Sequence, residues 1–420
     1  MERFVYREEP TNEDPKESPV RAILYDRKLG RYNLLDPLQR DTVLEAIEGK
    51  VDQERLVASK PFPVLVELSE LGGNTKRIEL VDFPPENVLS APITVYFEVS
   101  SKCNLRCKDC YQGERDASEK ALTSGEIESL LKRFSEFGIF IVRFTGKEPT
   151  FHPDILKFIK SGKDQGLKMA LNTNGVFENV YASDLVDAGI EEVVVSLDGD
   201  AEWNDRVRGK GVYARAVESL RLFSEAGVET RINMTVSKSN MGRIEHVARL
   251  AHEIGCYVSY IPMRSLGSAS EGMVDELLDP NEMREVVRKV TMLRKVLSPT
   301  RLLTYFDVMA EESDYYHPMF QMKPCHARKN IFMTNQGDVY PCDHLVVLGE
   351  HFRGGNVKER ELPEIWRKGE GLNRYRSLEH NNKCLHCGNF GKKCHGGCPS
   401  EALASTRGET TQVKDRLCFL

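Results

Sequence analysis

Cys103, Cys107 and Cys110 stand in the stretch SKCNLRCKDCYQGE, three thiols within eight positions, with an aromatic residue, Tyr111, directly after the last. A cubane iron–sulfur cluster takes four ligands, usually thiolates. The spacing C-x3-C-x2-C supplies three from one loop and leaves one iron for a small molecule to complete. The same residues allow two plainer arrangements: a zinc site that borrows a fourth ligand from elsewhere, or buried thiols without metal. Zinc sites favour C-x2-C pairs, and a loop after a strand disfavours burial, so the spacing weighs toward the cluster.

Seven more of the 11 cysteines fall in the last hundred residues. They are Cys325 and Cys342, separated by a glycine at 337, then Cys384, Cys387, Cys394 and Cys398, then Cys418. Seven thiols can ligate two metal centres, and structural zinc is the plain reading of the C-x2-C pair within them. The remaining Cys256 opens an apolar strand and reads as a core thiol. The N-terminus MERFVYREEP lacks an apolar stretch that would direct secretion, which turns the cysteine count toward metal rather than disulfides and leads us to expect a cytoplasmic protein.

A chain of 420 residues, 40% hydrophobic and 29% charged, has room for two or three domains. Its formal net charge of -6 is scattered along the chain and leaves no basic footprint for nucleic acid. The longest apolar runs, such as GIFIVRF, are too short to cross a bilayer, so no membrane partner is expected.

The elements that must hold these cysteines alternate in type between residues 93 and 264. ITVYFEV, FIVRFTG, KMALNTNG, EEVVVSLDG, ETRINMTV and YVSYIPMR read as six strands. Amphipathic segments separate them, the clearest opened by a capping box of Thr123 and Glu126 and continued by Ile127, Leu130, Leu131 and Phe134 at helical spacing. This predicts an α/β fold with a parallel sheet, either a partial (β/α)6 TIM-type barrel with its site at the C-terminal strand ends or an open doubly wound sheet. The cysteines, TGKEP, NTNG and SLDG all follow strands, which favours the barrel. Before it, VRAILYD and RYNLL form a hairpin, Asp36-Pro37 starts a helix carrying Val43, Leu44 and Ile47, and TKRIELV adds a strand. The expected domains are a winged-helix-like module over 1–90, the barrel over 91–265, a helical connector over 266–324 and a cysteine-rich domain over 325–420.

With these residues in view, the chain resembles the radical S-adenosylmethionine (SAM) enzymes, whose signature is this cysteine spacing with an aromatic next to the last thiol. The resemblance implies that Cys103, Cys107 and Cys110 hold a catalytic 4Fe-4S cluster, whose fourth iron chelates SAM and whose electron cleaves it to a 5'-deoxyadenosyl radical. It also implies roles for further positions. Gly146, Glu148 and Pro149 match the segment near the methionine amino group, with Lys147 where a second glycine is usual and where its charge can serve the carboxylate. Ser196 and Asp198 fall where ribose or substrate is contacted, Arg208 near the carboxylate, Asn174 at the same mouth, and Tyr111 against adenine. His152, just beyond GKEP, is equally a helix starter.

The C-terminal cysteines resemble the SPASM extension of this family, which implies two auxiliary 4Fe-4S clusters and three clusters in all. By that resemblance Cys384, Cys387, Cys394 and Cys418 serve the outer auxiliary cluster, and Cys325, Cys342 and Cys398 the inner one. The inner cluster then has an open iron or a non-thiolate ligand such as His317, His326 or Asp343. The N-terminal segment resembles the peptide-recognition element of peptide maturases. Together these imply a SAM-cleaving enzyme that crosslinks a precursor peptide through a thioether or carbon–carbon bond, served by an electron donor such as flavodoxin or ferredoxin. Maturation of a small cofactor precursor, tetrapyrrole or pterin in type, and a non-catalytic metal-binding scaffold are the alternatives.

Overall fold

The computed structural model describes residues 4–9, 22–27, 31–35, 37–50, 71, 75–78, 88–113, 121–266, 273–304, 328–378, 384, 386–388, 397–406 and 417–418. The expected hairpin is present as β2 (Ala22–Asp26) and β3 (Arg31–Leu35), followed by α1 (Pro37–Ile47) and, later, β4 (Thr75–Ile78). A strand the sequence reading did not anticipate, β1 (Phe4–Glu8), lies between them in a four-stranded sheet of order β3-β2-β1-β4. Both faces of this sheet are apolar. Phe4, Tyr6, Leu24 and Leu35 pack with Val43 of α1, while Val5, Ile23, Tyr25 and Ile78 pack on Leu89, Ile93 and Phe140 at the entries of the barrel strands. Tyr25 stacks on Phe140 with ring centroids 4.8 Å apart. Arg7 is wholly buried in the same joint, donating to the carbonyls of Gly138 and Ala91 and, at 2.7 Å, to Glu9.

All six expected barrel strands form: β5 (Thr94–Ser100), β6 (Ile141–Gly146), β7 (Lys168–Thr173), β8 (Glu192–Ser196), β9 (Glu229–Val236) and β10 (Tyr257–Pro262). Helices α2 (Ser124–Glu136), α3 (Ile155–Asp164), α4 (Asn179–Asp187), α5 (Ala201–Arg208), α6 (Val212–Glu225) and α7 (Ile244–Ile254) connect them. The capping box at Thr123 and Glu126 closes as expected, with Ile127, Leu130, Leu131 and Phe134 buried. Each strand pairs in parallel with its predecessor and the sheet adds strands in chain order. A doubly wound sheet reverses direction at a switch point. No reversal interrupts β5 to β10, so the barrel reading holds.

Two later pieces extend this sheet. After α8 (Pro280–Val296), β11 (Leu302–Thr304) pairs with β10, so the segment expected as a purely helical connector also contributes a strand. β12 (Asn330–Met333) returns to pair in parallel with β5, and β13 (Asp338–Tyr340) and β14 (Gly355–Asn356) follow antiparallel. Helices α9 (Leu362–Lys368), α10 (Glu370–Arg376) and α11 (Pro399–Ser405) complete the described chain. The fully buried Trp366 donates from its indole to Leu89 O at 2.7 Å, fastening α9 to the segment that leads into β5. No helix among the described residues is long and apolar enough to cross a membrane.

Side chains alternate along the barrel strands with a fixed sense. Val142 and Phe144, Met169 and Leu171, Val193 and Val195, Ile232 and Met234 join the apolar cluster with the helices. The opposite positions carry Tyr96, Glu98, Arg143, Thr145, Asn172, Glu192, Asn233 and Thr235. Closed eight-fold barrels fill their interior with branched apolar residues; this one lines its chamber mostly with polar side chains, with Ala170, Val194 and Ile261 among them. Its floor is a buried ion network in which Glu192 lies 2.7 Å from Arg143, 3.4 Å from Lys168 and 3.7 Å from Arg231. Burial alone would raise the Glu192 carboxyl, but the three cations outweigh it and hold the group far below the usual range.

Candidate active site at the strand ends

The loop over 101–113 leaves β5 at the chamber mouth and is tied down at three places. Glu148 N donates to Lys102 O at 3.0 Å, Lys108 N donates to Val207 O of α5 at 3.2 Å, and the Lys147 ammonium donates to Gly113 O. Lys147 therefore secures the far end of the cysteine loop. Gly146 has φ +108°, and a Cβ there would lie 2.5 Å from Cγ of Glu98 on the neighbouring strand, so glycine is required by both backbone and space.

Cys103, Cys107 and Cys110 are partly exposed and none is in a disulfide. Cys103 Sγ accepts from Leu105 N at 3.4 Å and from Asn174 Nδ2 at 3.7 Å. Asn174 also donates to Asn104 Oδ1 at 2.7 Å and accepts from Val176 N at 2.8 Å, joining the end of β7 to the cysteine loop. Burial pushes the Cys103 thiol up and the Cys107 thiol to about 12. Thiols held protonated are poor nucleophiles, and what deprotonates such a set is a metal. Three thiols on one short loop, with two N–H donors aimed at the Cys103 sulfur, fit a cluster.

Glu148 is fully buried, and its carboxylate is a hub. Oε1 accepts from the hydroxyls of Thr150 and Thr173, each at 2.8 Å, and from Thr150 N at 3.2 Å; Oε2 accepts from Asn174 N at 2.8 Å. Burial raises its pKa while these donors oppose the rise. Asp198 is similarly engaged: Oδ2 is 2.5 Å from Nε of Arg208 and Oδ1 accepts from Thr235 N at 2.8 Å. Both carboxylates turn into the protein, so they shape the mouth instead of lining it. Ser196 lies at the end of β8, beside Asn233 of β9. Tyr181 donates to Thr150 O at 3.5 Å, and His152 Nδ1 accepts from Asp154 N at 3.1 Å, the local turn that its helix-starting role implies.

Asp109 was not singled out by the sequence, although it sits between two of the three cysteines. Burial pushes it up to about 6, with Asp198 adding to the rise and Arg208 opposing it. Burial lowers the Arg208 pKa but Asp198, Cys107 and Asp109 lift it, so Arg208 is a fixed cation beside the second cysteine. Its guanidinium is where an anionic ligand group would be drawn.

The C-terminal cysteines approach this mouth from the other side. Tyr111 meets the ring of His344 edge-on with centroids 5.8 Å apart. His344 follows Cys342 and Asp343 in a short 3-10 turn, Asp343–Leu345. Cys398 caps α11, its Sγ 2.9 Å from Ser400 Oγ, which lies 3.2 Å from His344 Nδ1. Cys384 and Cys387 share one turn, with Cys387 N donating to Cys384 O at 3.0 Å. Cys418 is partly buried near the chain end. Cys325, Cys394, His317 and His326 lie outside the described residues.

Residues 97–251 match the family model of the radical SAM superfamily, and residues 325–388 that of the SPASM iron–sulfur cluster-binding domain. The chain belongs to the radical SAM enzymes. Within the family it is similar to an AdoMet-dependent heme synthase of Nitratidesulfovibrio vulgaris, 27% identical over 73% of this chain and 87% of the relative. It is equally similar to the mycofactocin maturase MftC of Mycobacterium ulcerans, 29% identical over 74% and 84%. Among solved structures, SuiB of Streptococcus suis bound to precursor peptide SuiA superposes with a TM-score of 0.74 at 19% identity, covering 100% of this chain and 99% of that one. The anSMEcpe structure with bound AdoMet and a peptide gives 0.62 at 21% identity over 74% and 90%. Radical SAM and SPASM domains imply 4Fe-4S clusters and SAM, which accords with the donor sets described above.

Proposed function

We propose that this radical SAM–SPASM maturase acts on a ribosomally made precursor peptide and closes a crosslink within it, a thioether or a carbon–carbon bond. The observation that carries the reading is the N-terminal sheet docked on the barrel floor, within a chain that the SuiB fold spans over its whole length. In the described residues β3 and β4 are its edges, and an edge strand can take up an extended leader peptide through main-chain hydrogen bonds. We divide the chain as 1–90 for this module, 91–265 for the barrel, 266–324 for the connector and 325–420 for the auxiliary domain.

In this reading Cys103, Cys107 and Cys110 hold the cluster that, when bound, supplies an electron to SAM. Arg208 beside Cys107 attracts the SAM carboxylate, and Tyr111 lies where adenine packs. Asp198 positions Arg208, and Glu148 with Asn174 and Lys147 positions the cysteine loop. The polar chamber receives the substrate residue. The cysteines from 325 to 418 hold two auxiliary clusters, three in all, suited to taking the electron that oxidative crosslinking releases, and a flavodoxin or ferredoxin reduces the enzyme. Heme synthases among the relatives keep a small tetrapyrrole-type precursor as the second reading.

The test is mass spectrometry of the short peptide encoded beside the gene after anaerobic incubation with enzyme, SAM and reductant. A loss of two hydrogen atoms in step with 5'-deoxyadenosine supports crosslinking. An unchanged peptide, with turnover of an iron or free porphyrin precursor instead, refutes it.

A further inference from the structure

His344 occupies a place that the pattern of thiols does not mark. It lies two residues beyond Cys342, and the ligand atoms of Cys342, Asp343 and His344 all fall within 4.8 Å of one another. Toward Cys398, its Nδ1 is 3.2 Å from Ser400 Oγ, which in turn lies 2.9 Å from the Cys398 sulfur. One imidazole thus joins the two described thiols that the SPASM pattern gives to a single inner centre. Asp343 is less free to serve, because its Oδ1 already accepts from His344 N at 3.0 Å. The buried pair of Arg264 and Glu401, 3.1 Å apart, and the edge-on ring of Tyr111 close the surroundings.

We propose that His344 is the non-thiolate ligand of the inner auxiliary cluster, binding iron through an imidazole nitrogen while Cys342 and Cys398 bind through sulfur. The assignment rests on the reading that this domain carries clusters. Imidazole is a good iron ligand, and in place of thiolate it removes one negative charge and raises the reduction potential. A raised potential suits a centre that accepts an electron from substrate. The position also puts the cluster's ligand in contact with Tyr111, next to the catalytic cysteines.

The experiment uses full-length protein with Cys103, Cys107 and Cys110 changed to alanine, so that only auxiliary iron remains, labelled with 15N-histidine and reduced anaerobically. Iron and sulfide are counted first. Pulsed electron paramagnetic resonance then reads nitrogen coupling to the reduced clusters. The expected result is a strong coupling, as direct ligation gives, that His344→Ala abolishes, while His344→Cys retains the iron and lowers the potential of one cluster. Absent iron and sulfide would sink the cluster reading itself. Iron present with no histidine coupling that His344→Ala removes, or with an unshifted potential in His344→Cys, would overturn the ligand assignment alone.

Discussion

Replacing Glu148 by glutamine tests whether the mouth is held by a carboxylate. The side chain is fully buried and accepts four hydrogen bonds, two of them from backbone N–H groups. A glutamine amide has one acceptor oxygen, so in either orientation one backbone donor faces an NH2 group: Asn174 N in one case, Thr150 N in the other. The threonine hydroxyls can rotate to accept. A stranded buried donor costs about 1–3 kcal/mol, which as a local opening free energy speeds amide exchange roughly 5- to 150-fold. Hydrogen exchange followed by mass spectrometry on peptides covering 173–176 and 101–113 reads this directly. The sign with pH is also fixed. Burial raises the Glu148 pKa, so ionisation works against the fold: wild-type protection is greatest below the ordinary carboxylate range and declines as pH climbs toward the raised value. Glutamine has no such slope, and the gap between wild type and Glu148→Gln should narrow as pH rises. Unchanged exchange at both segments in Glu148→Gln would refute the hub, and a gap that widens with pH would refute the account of its charge.

Other perturbations separate the parts. Arg7→Met strands the buried Glu9 beside Ser90 and should cost about 3–5 kcal/mol, seen as earlier proteolysis between module and barrel; the double change with Glu9→Gln should recover much of it. Acidification should weaken the barrel floor, because Glu192 is held low by Arg143, Lys168 and Arg231 and its stabilisation is lost as pH falls below the ordinary carboxylate range; an acid unfolding midpoint that does not move in Glu192→Gln would contradict this. Changing Cys103, Cys107 and Cys110 to alanine should abolish 5'-deoxyadenosine formation while leaving iron in the C-terminal domain. Gly146→Ala should lower SAM affinity or fail to accumulate, since its Cβ would strike Glu98.

How much of this could be read beforehand depended on whether the signal was local. The six strands announced themselves through β-branched and aromatic runs, and the helix at Thr123 through its capping box, because each is written in contiguous residues. β1 escaped notice since FVYRE ends in charges, and only the joint with Gly138 and Ala91 explains why a buried arginine belongs in it. Gly146 was legible as a motif, but its reason, the approach of Glu98, comes from the adjacent strand. Glu148 and Asp198 were marked by position, while their inward turn depends on donors from β7 and β9. Asp109 and His344 lay in plain sight between and beside cysteines. What gives them meaning is the charge of Asp198 acting on Asp109, and Ser400 standing between His344 and Cys398, residues far along the chain that spacing does not encode.

The pairing of β12 with β5 has a consequence for synthesis. Thr94 and Asn330 are register partners across 236 positions. While the ribosome is still making the segments between them, the first barrel strand has β6 on one side and a bare row of backbone donors and acceptors on the other. Such an edge invites pairing with other chains, and distant partners make for slow closure. Strand β5 also leads directly into the catalytic cysteines, so this loop matures beside an unfinished sheet until the C-terminal domain emerges. A nascent chain truncated before residue 330 should aggregate or recruit chaperones, and one extended past 333 should not.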